Sequence, residues 1–386
     1  MSKTFDVCIR GDGIVGRTLA LLLARERLKV ALVTRAARPV TSAPGELSDV
    51  RAYSLNAASR QVLEPLRAWP EAGFATPVNS MKVWGDDGGQ LDFVAPTGQQ
   101  NDPLAWIVDV PALEAQLLEA CRYQGHIETV DESAPATLSV ICEGKHSASR
   151  ALAGSAWHVK PYDQKAVAAR LLSTQPHGGV ARQWFSNGDI LALLPVGGPD
   201  GRGLALVWSV ATGRAAQLEA LSPDEFCAAL RAVCGAEAGA LQLTSARASW
   251  PLALAQAGQW VGPGWALAGD AAHTIHPLAG QGLNLGLADA ACLASVLASR
   301  EYWRQLGDEK LLRRYERARK ADVGAMGLVT DSLHNLFAQT TGPWQGLRNW
   351  GMTSLGRSST VKNWLARQAS GRGIHASASA DSAKPL

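Results

Sequence analysis

The chain has 386 residues, 47% hydrophobic and 18% charged, with 38 glycines. That length allows two packed units, and that balance excludes disordered and fibrous classes. The net charge of +3 is too weak a field to predict binding to a phosphate backbone, so no nucleic-acid partner is expected.

In chain order, Phe5 to Ile9 reads as a strand, Gly11 to Gly16 as a glycine turn, Leu19 to Arg27 as a helix and Val30 to Val33 as a second strand. Together they make one β-α-β unit. A long loop over 35–50 precedes a helix expected from Leu55 to Arg67. Two short runs between Val78 and Val94, around Asp86 to Gly89, predict a hairpin, because Asp-Gly and Gly-Gly supply the positive φ that tight turns need. A helix is expected over Pro111 to Tyr123, with proline at a tolerated first-turn position. Val180 to Phe185, Ile190 to Pro195 and Leu204 to Val210 predict an antiparallel sheet in a second unit. Gly264 to Asp270 returns to a strand, followed by a glycine-rich turn and an alanine- and leucine-rich helix to about Ala298. The stretch to about 371 reads as mainly helical, and 372–386 as a disordered tail.

The six cysteines, Cys8, Cys121, Cys142, Cys227, Cys234 and Cys292, form no C-x-x-C pair, so reduced thiols in a cytoplasmic protein are expected. No secretory leader is expected before the first glycine motif, and no run of about 18 apolar residues is long enough to span a bilayer. His273 and His276 lie three apart with no third ligand nearby, so no metal site is expected.

Gly11, Gly13 and Gly16 form a G-x-G-x-x-G set. The bare pattern is weak, but here it follows a strand and opens a helix, where amide donors and the helix dipole suit a pyrophosphate. The acidic residue that should close such a site on a ribose is replaced by Thr34, followed by Arg35. Arg10 and Asp12 add charge at the turn, and Asp12 would repel a pyrophosphate unless Arg10 or another cation compensates. The second segment, Gly269 to Gly286, places Asp270 at a strand end before a glycine-rich turn into a helix. An acceptor for hydroxyls beside a row of amide donors suits a polyhydroxylated chain attached to a heterocycle.

Gly11 to Gly16, Asp49 to Ser59 and Gly269 to Gly286 together resemble the FAD-dependent aromatic hydroxylases of ubiquinone biosynthesis, flavoprotein monooxygenases of the p-hydroxybenzoate-hydroxylase type. Weaker similarities follow at Ala192 to Pro195, Val207 to Ser209, Trp250 to Leu252, Asp331 to Phe337 and Gly346 to Gly351. The resemblance implies an α/β architecture: a Rossmann-like FAD-binding domain, an inserted antiparallel β-sheet substrate domain and a C-terminal helical region. The expected division is 1–75, 100–155 and 262–300 for the FAD-binding domain, 76–99 and 156–261 for the substrate domain, and 301–371 for the helical region. It implies that Gly11, Gly13, Ile14, Val15 and Gly16 cradle the FAD pyrophosphate, with Thr34 at the ribose position and Arg51 reaching a phosphate. Gly269 and Asp270 would bind the ribityl chain, and Pro277, Gly280, Gly282, Leu283 and Asn284 would line the isoalloxazine. NAD(P)H would serve as transient reductant and O2 as co-substrate, to hydroxylate a polyprenyl phenol. The flavin carries that chemistry, so no catalytic side chain is named.

The sequence departs from the family at Thr34, at Glu143, where an Asp-Gly pair followed by Ser and Arg is usual, and between Tyr123 and Cys142, where the family has several strands. An alternative reading is therefore a non-catalytic paralogue that binds FAD weakly or not at all and partners other ubiquinone-biosynthesis proteins. Arg348, Arg357, Lys362, Arg367 and Arg372, interleaved with Trp344, Trp350 and Trp364, suit peripheral contact with the inner membrane face. Val329, Leu333, Leu336 and Phe337, at helical spacing, read as core.

Overall fold

The computed structural model describes residues 4–34, 49–85, 89–95, 103–197, 199–275 and 281–338. Strand Phe5–Arg10 is buried along most of its length, as expected for parallel strands covered on both faces. It pairs in parallel with Val30–Val33 on one side and Ala136–Ile141 on the other. Ile127–Val130 extends the sheet beyond Val30–Val33, and Trp265–Leu267 extends it beyond Ala136–Ile141. The two-residue strand Val261–Gly262 closes the sixth position. The short interval after Tyr123 thus supplies two strands of this sheet. Val7, Ile9, Leu19, Leu23, Leu138, Val140, Leu267 and Leu293 share one buried cluster, which fixes helices Ile14–Arg25 and Gly282–Ala298 against the sheet.

A nine-stranded sheet is built around the 17-residue strand Trp157–Ser173, which pairs antiparallel with Gly203–Ala211 on one edge and Ala248–Ala257 on the other. Its outer half is mostly exposed and carries Pro161 and Asp163, which resemble a turn in sequence. The chain accommodates them by a register shift between Pro161 and Lys165 rather than by stopping the strand. Asp189–Pro195 and Val180–Ser186 continue the sheet, and Ser80–Trp84 joins it in parallel with Gln90–Val94 beyond. Helices Thr212–Ala220 and Pro223–Cys234 cover one face, where Val167, Leu191, Leu206, Trp208, Phe226 and Leu230 are buried together. The second helix starts with Pro223 and a reciprocal Ser222–Glu225 capping box.

Ala52–Leu55, Ala105–Asp109 and Ala75–Val78 make a separate three-stranded antiparallel sheet. The helix expected over Leu55 to Arg67 is shorter: Ala57–Leu63, then a 3-10 turn Glu64–Leu66 that contains Pro65, whose missing N–H cannot continue the helical bonding. Val110–Arg122 forms with Asp109 as its cap. The C-terminal helix is Glu309–Ala338. The side chains of Val329, Leu333, Leu336 and Phe337, the tip of the expected hairpin and the Trp/Arg segment lie outside the described residues. No helix among the described residues is long and apolar enough to cross a membrane.

Candidate flavin cleft

The glycines of the first turn do two different jobs. A Cβ on Gly16 would lie 1.9 Å from the Gly11 carbonyl oxygen, and one on Gly11 would lie 2.5 Å from that of Cys142, so both positions hold backbones in contact. Gly11 also has φ +109°, a conformation that side chains oppose. A Cβ on Gly13 would meet no protein atom within 4 Å. Gly13 is the N-cap of Ile14–Arg25, and no side chain caps that helix. The first-turn amides therefore front open space.

The second turn repeats this division. Gly269 (φ +64°) and Gly286 clasp the side chain of Val15: their added Cβ atoms would stand 3.2 and 2.8 Å from its methyl groups. Gly282 begins helix Gly282–Ala298, which also lacks a side-chain cap, and a Cβ there would meet nothing within 4 Å. Val15 is thus the spacer that sets the two helices side by side. Ile14 is buried in the cluster with Leu55, Leu63 and Leu287. Leu283 is half-buried, while Pro277 and Gly280 lie outside the described residues.

Charges around the first turn are paired within the protein. Asp12 is neutralised by Arg17, 3.3 Å away, whereas Arg10 donates to Ser149 and Ser133 at 2.8 and 2.9 Å. Of the two expected alternatives, Arg10 or another cation, the compensating one is therefore Arg17, one helical turn onward. Arg51 is chelated by Asp49 and lies 3.8 Å from Glu114. Burial pushes the Glu114 carboxyl up, with Arg51 opposing. Burial also pushes Asp49 up, but its bonds to Arg51 outweigh that and leave it low. Thr34 ends its strand with its N–H on the Val130 carbonyl at 3.0 Å.

Glu143 stands where the family has aspartate, and its carboxylate accepts from the Ser147 hydroxyl (2.8 Å) and from both the N–H and hydroxyl of Ser149 (3.1 and 2.7 Å). The extra methylene reaches a local turn. Arg150, buried against the face of Trp157, donates to the Ala271 carbonyl at 3.1 Å and so ties this segment to the turn carrying Asp270.

Asp270 is exposed, yet protein surrounds its carboxyl closely enough that desolvation pushes its pKa up, with His273, Lys145 and Arg51 opposing. The Tyr53 phenol is pushed up by burial and further by Asp270, against Arg51. Sequence reasoning passed over Tyr53 inside its motif. It also missed the charge beneath the cleft. Asp289, fully buried, accepts from the Gly269 N–H (2.9 Å) and Arg319 Nε (2.7 Å) and lies 2.6 Å from His273 Nε2. Burial pushes Asp289 up, but His273 and Arg319 outweigh it and hold it ionised. Asn284, also buried, accepts from the Asn56 N–H (3.0 Å) and Ser59 hydroxyl (2.7 Å) and donates to the Ser54 carbonyl (2.8 Å). Its side chain pins the strand that carries Tyr53.

Two helix N-termini without side-chain caps, each fronted by a glycine that opens on free space, with the Asp270 carboxylate on the turn packed against Val15, fit a dinucleotide carrying a polyol linker. The comparisons agree with that class. A family model described as FAD binding domain matches residues 116–327, more than half of the chain. The Drosophila melanogaster ubiquinone biosynthesis monooxygenase COQ6 is 30% identical over 96% of this chain and 91% of its own. The Escherichia coli 3-demethoxyubiquinol 3-hydroxylase is 28% identical over 95% and 98%. Among solved structures, PqsL, a probable FAD-dependent monooxygenase from Pseudomonas aeruginosa, matches with a TM-score of 0.75 at 21% identity, covering 91% of this chain and 100% of that one, and so shares the fold. The chain belongs to the FAD-dependent ubiquinone-biosynthesis hydroxylase family. It is an FAD-dependent monooxygenase.

Proposed function

We propose that the chain hydroxylates the ring of a polyprenyl phenol in ubiquinone biosynthesis, with NAD(P)H as reductant and O2 as co-substrate. The observation that carries the proposal is the paired opening at Gly13 and Gly282, at two helix N-termini without side-chain caps, with Asp270 following Gly269, which packs on Val15 of the first helix. Bound FAD would supply the redox and oxygen chemistry. The amides of Gly13, Ile14 and Val15 would face its pyrophosphate, with Gly11 and Gly16 closing the backbone behind them and Arg51 exchanging Asp49 for a phosphate oxygen. Thr34 would meet the adenosine ribose through its hydroxyl. Asp270 and the Gly269 turn would accept the ribityl hydroxyls. Gly282 and Leu283 would border the ring system with Pro277 and Gly280, and Asn284 would act by holding the Ser54–Ser59 backbone in place. Residues 1–75, 100–155 and 262–300 would form the FAD-binding domain; 76–99 and 156–261 would form the substrate domain.

The test is the visible spectrum of the purified protein, with FAD released by heat and measured against protein, followed by NAD(P)H oxidation with short-tailed phenols. Near-stoichiometric flavin and phenol-dependent oxidation are expected. A protein that stays colourless in excess FAD would overturn the proposal in favour of a non-catalytic partner in quinone biosynthesis. The arginines and tryptophans of 344–372 support peripheral membrane contact. Sedimentation with anionic vesicles, lost at high salt, checks it, and no sedimentation at low salt removes it.

A further inference from the structure

A cavity of about 220 Å³ lies between the three-stranded sheet and inner strands of the large one, beside the Arg51 loop. Phe74, Ile107 and Val196 give it apolar walls, and the backbones of Gly73 and Gly197 close it so tightly that a Cβ on Gly197 would stand 1.8 Å from the Gly73 carbonyl oxygen. Its polar wall is the Arg170–Asp109 ion pair at 2.7 Å. Arg170 is only 6% exposed. Its Nε donates to the Val50 carbonyl (3.0 Å), and its Nη2 serves both the Arg51 carbonyl (2.9 Å) and Asp109. Its Nη1 makes no hydrogen bond to the described residues and is left as a donor. Asp109 accepts from the Ala112 N–H (3.3 Å) and from Arg170, which leaves lone pairs unused.

We infer that this cavity binds the neutral hydroxylated ring of a phenol. The volume is below that of drug-sized sites and suits one aromatic ring with small substituents. The ion pair carries no net charge, and Asp49 also acts on Arg170, so an anion gains little there. What remains is one free donor beside a carboxylate with spare lone pairs, the complement of an O–H that accepts from Nη1 and donates to Asp109. Phe74, 50% exposed, stands at the mouth, where a para substituent would leave. This rests on the hydroxylase reading for its choice of ligand, and extends it by naming Arg170 and Asp109 as the groups that select a phenol over an aryl acid.

The experiment measures binding of 4-methylphenol and of its near-isostere 4-methylbenzoate to the flavin-loaded protein by calorimetry, in wild type, Arg170→Met and Phe74→Ala. We expect the phenol to bind at least tenfold more tightly than the acid in wild type. Arg170→Met should erase that preference, and Phe74→Ala should weaken phenol binding several-fold with flavin content and melting temperature unchanged. Because Arg170 also pins the Val50–Arg51 backbone, Phe74→Ala decides the matter if Arg170→Met does not fold. Equal binding of the two ligands, or phenol binding untouched by Phe74→Ala, overturns the inference. Selective phenol binding without phenol-dependent NAD(P)H oxidation would leave the cavity as assigned and remove the hydroxylase reading instead.

Discussion

The two glycine turns that frame the cleft solve one geometric problem with different electrostatics. At the first, the charges are accessible: Asp12 pairs with Arg17 at side-chain exposures of 28% and 14%, where water and salt weaken the bond. At the second, Asp289 is buried beneath the turn and bonded to Gly269, His273 and Arg319, so the backbone that carries Asp270 is fixed from below. One turn is tunable by its surface, and the other is part of the core.

The largest effect should come from breaking the buried side. Asp289→Ala leaves Arg319 and His273 facing an empty site, and loss of one partner of a buried ion pair costs about 3–5 kcal/mol. A drop in melting temperature of several degrees or more, or insoluble protein, is expected; a melting curve like wild type would show that Asp289 is not the anchor. Next, Gly16→Ala should destabilise the flavin-free protein by about 1–3 kcal/mol, because its methyl group has no room against the Gly11 carbonyl. Gly13→Ala should leave that melting curve in place, since its φ of −73° and the open space accept a methyl group. It should weaken FAD binding about tenfold, about 1.4 kcal/mol, by standing where the pyrophosphate would lie. The two alanines together separate the contact glycines from the ligand-facing ones, and equal effects on stability would erase that distinction. A smaller change is expected at Asp12→Asn, which removes a negative charge from the phosphate turn. Titration of FAD at low salt should show a few-fold tighter complex, and the gain should vanish at high salt.

The smallest effect lies away from the cleft. Burial pushes the Asp189 carboxyl up to about 6 from 3.8, with Arg214 opposing. Between those values the folded state keeps a proton that the unfolded state has lost, so this group lowers stability as pH rises from about 4 to 6 and adds no slope above. Asp189→Asn should remove that slope, which melting temperatures across the range would show.

The sequence reveals what depends on residue type at fixed spacing. Gly11 and Gly16 are legible because only glycine leaves room for the backbone contacts there, at Gly11 with a positive φ as well, and strand Val30–Val33 because a buried parallel strand is written as a continuous apolar run. Spacing did not show that Gly13 and Gly282 open on free space while Gly16 and Gly286 face protein. The Asp289–Arg319 bond joins two helices 30 residues apart, and nothing local marks either residue. The strand Trp157–Ser173 was hidden for a different reason. Half of it alternates weakly, and Asp163 holds φ +51°, which reads as a turn until the neighbouring strand is seen to continue past it. Asn284 was placed at the cofactor by its motif, but the buried position and bonding of its side chain emerge only when Ser54, Asn56 and Ser59 are brought beside it.

The pairing of Trp265–Leu267 with Ala136–Ile141 also sets an order for synthesis. A ribosome adding about 5–20 residues per second leaves the outer edge of Ala136–Ile141 without its neighbour for roughly ten seconds, an exposed template for wrong partners. The floor under Asp270 is later still, since Arg319 follows every glycine of both turns in the chain. A chain that ends after Ala298 would contain those glycines but lack Arg319, and would leave Asp289 without that partner.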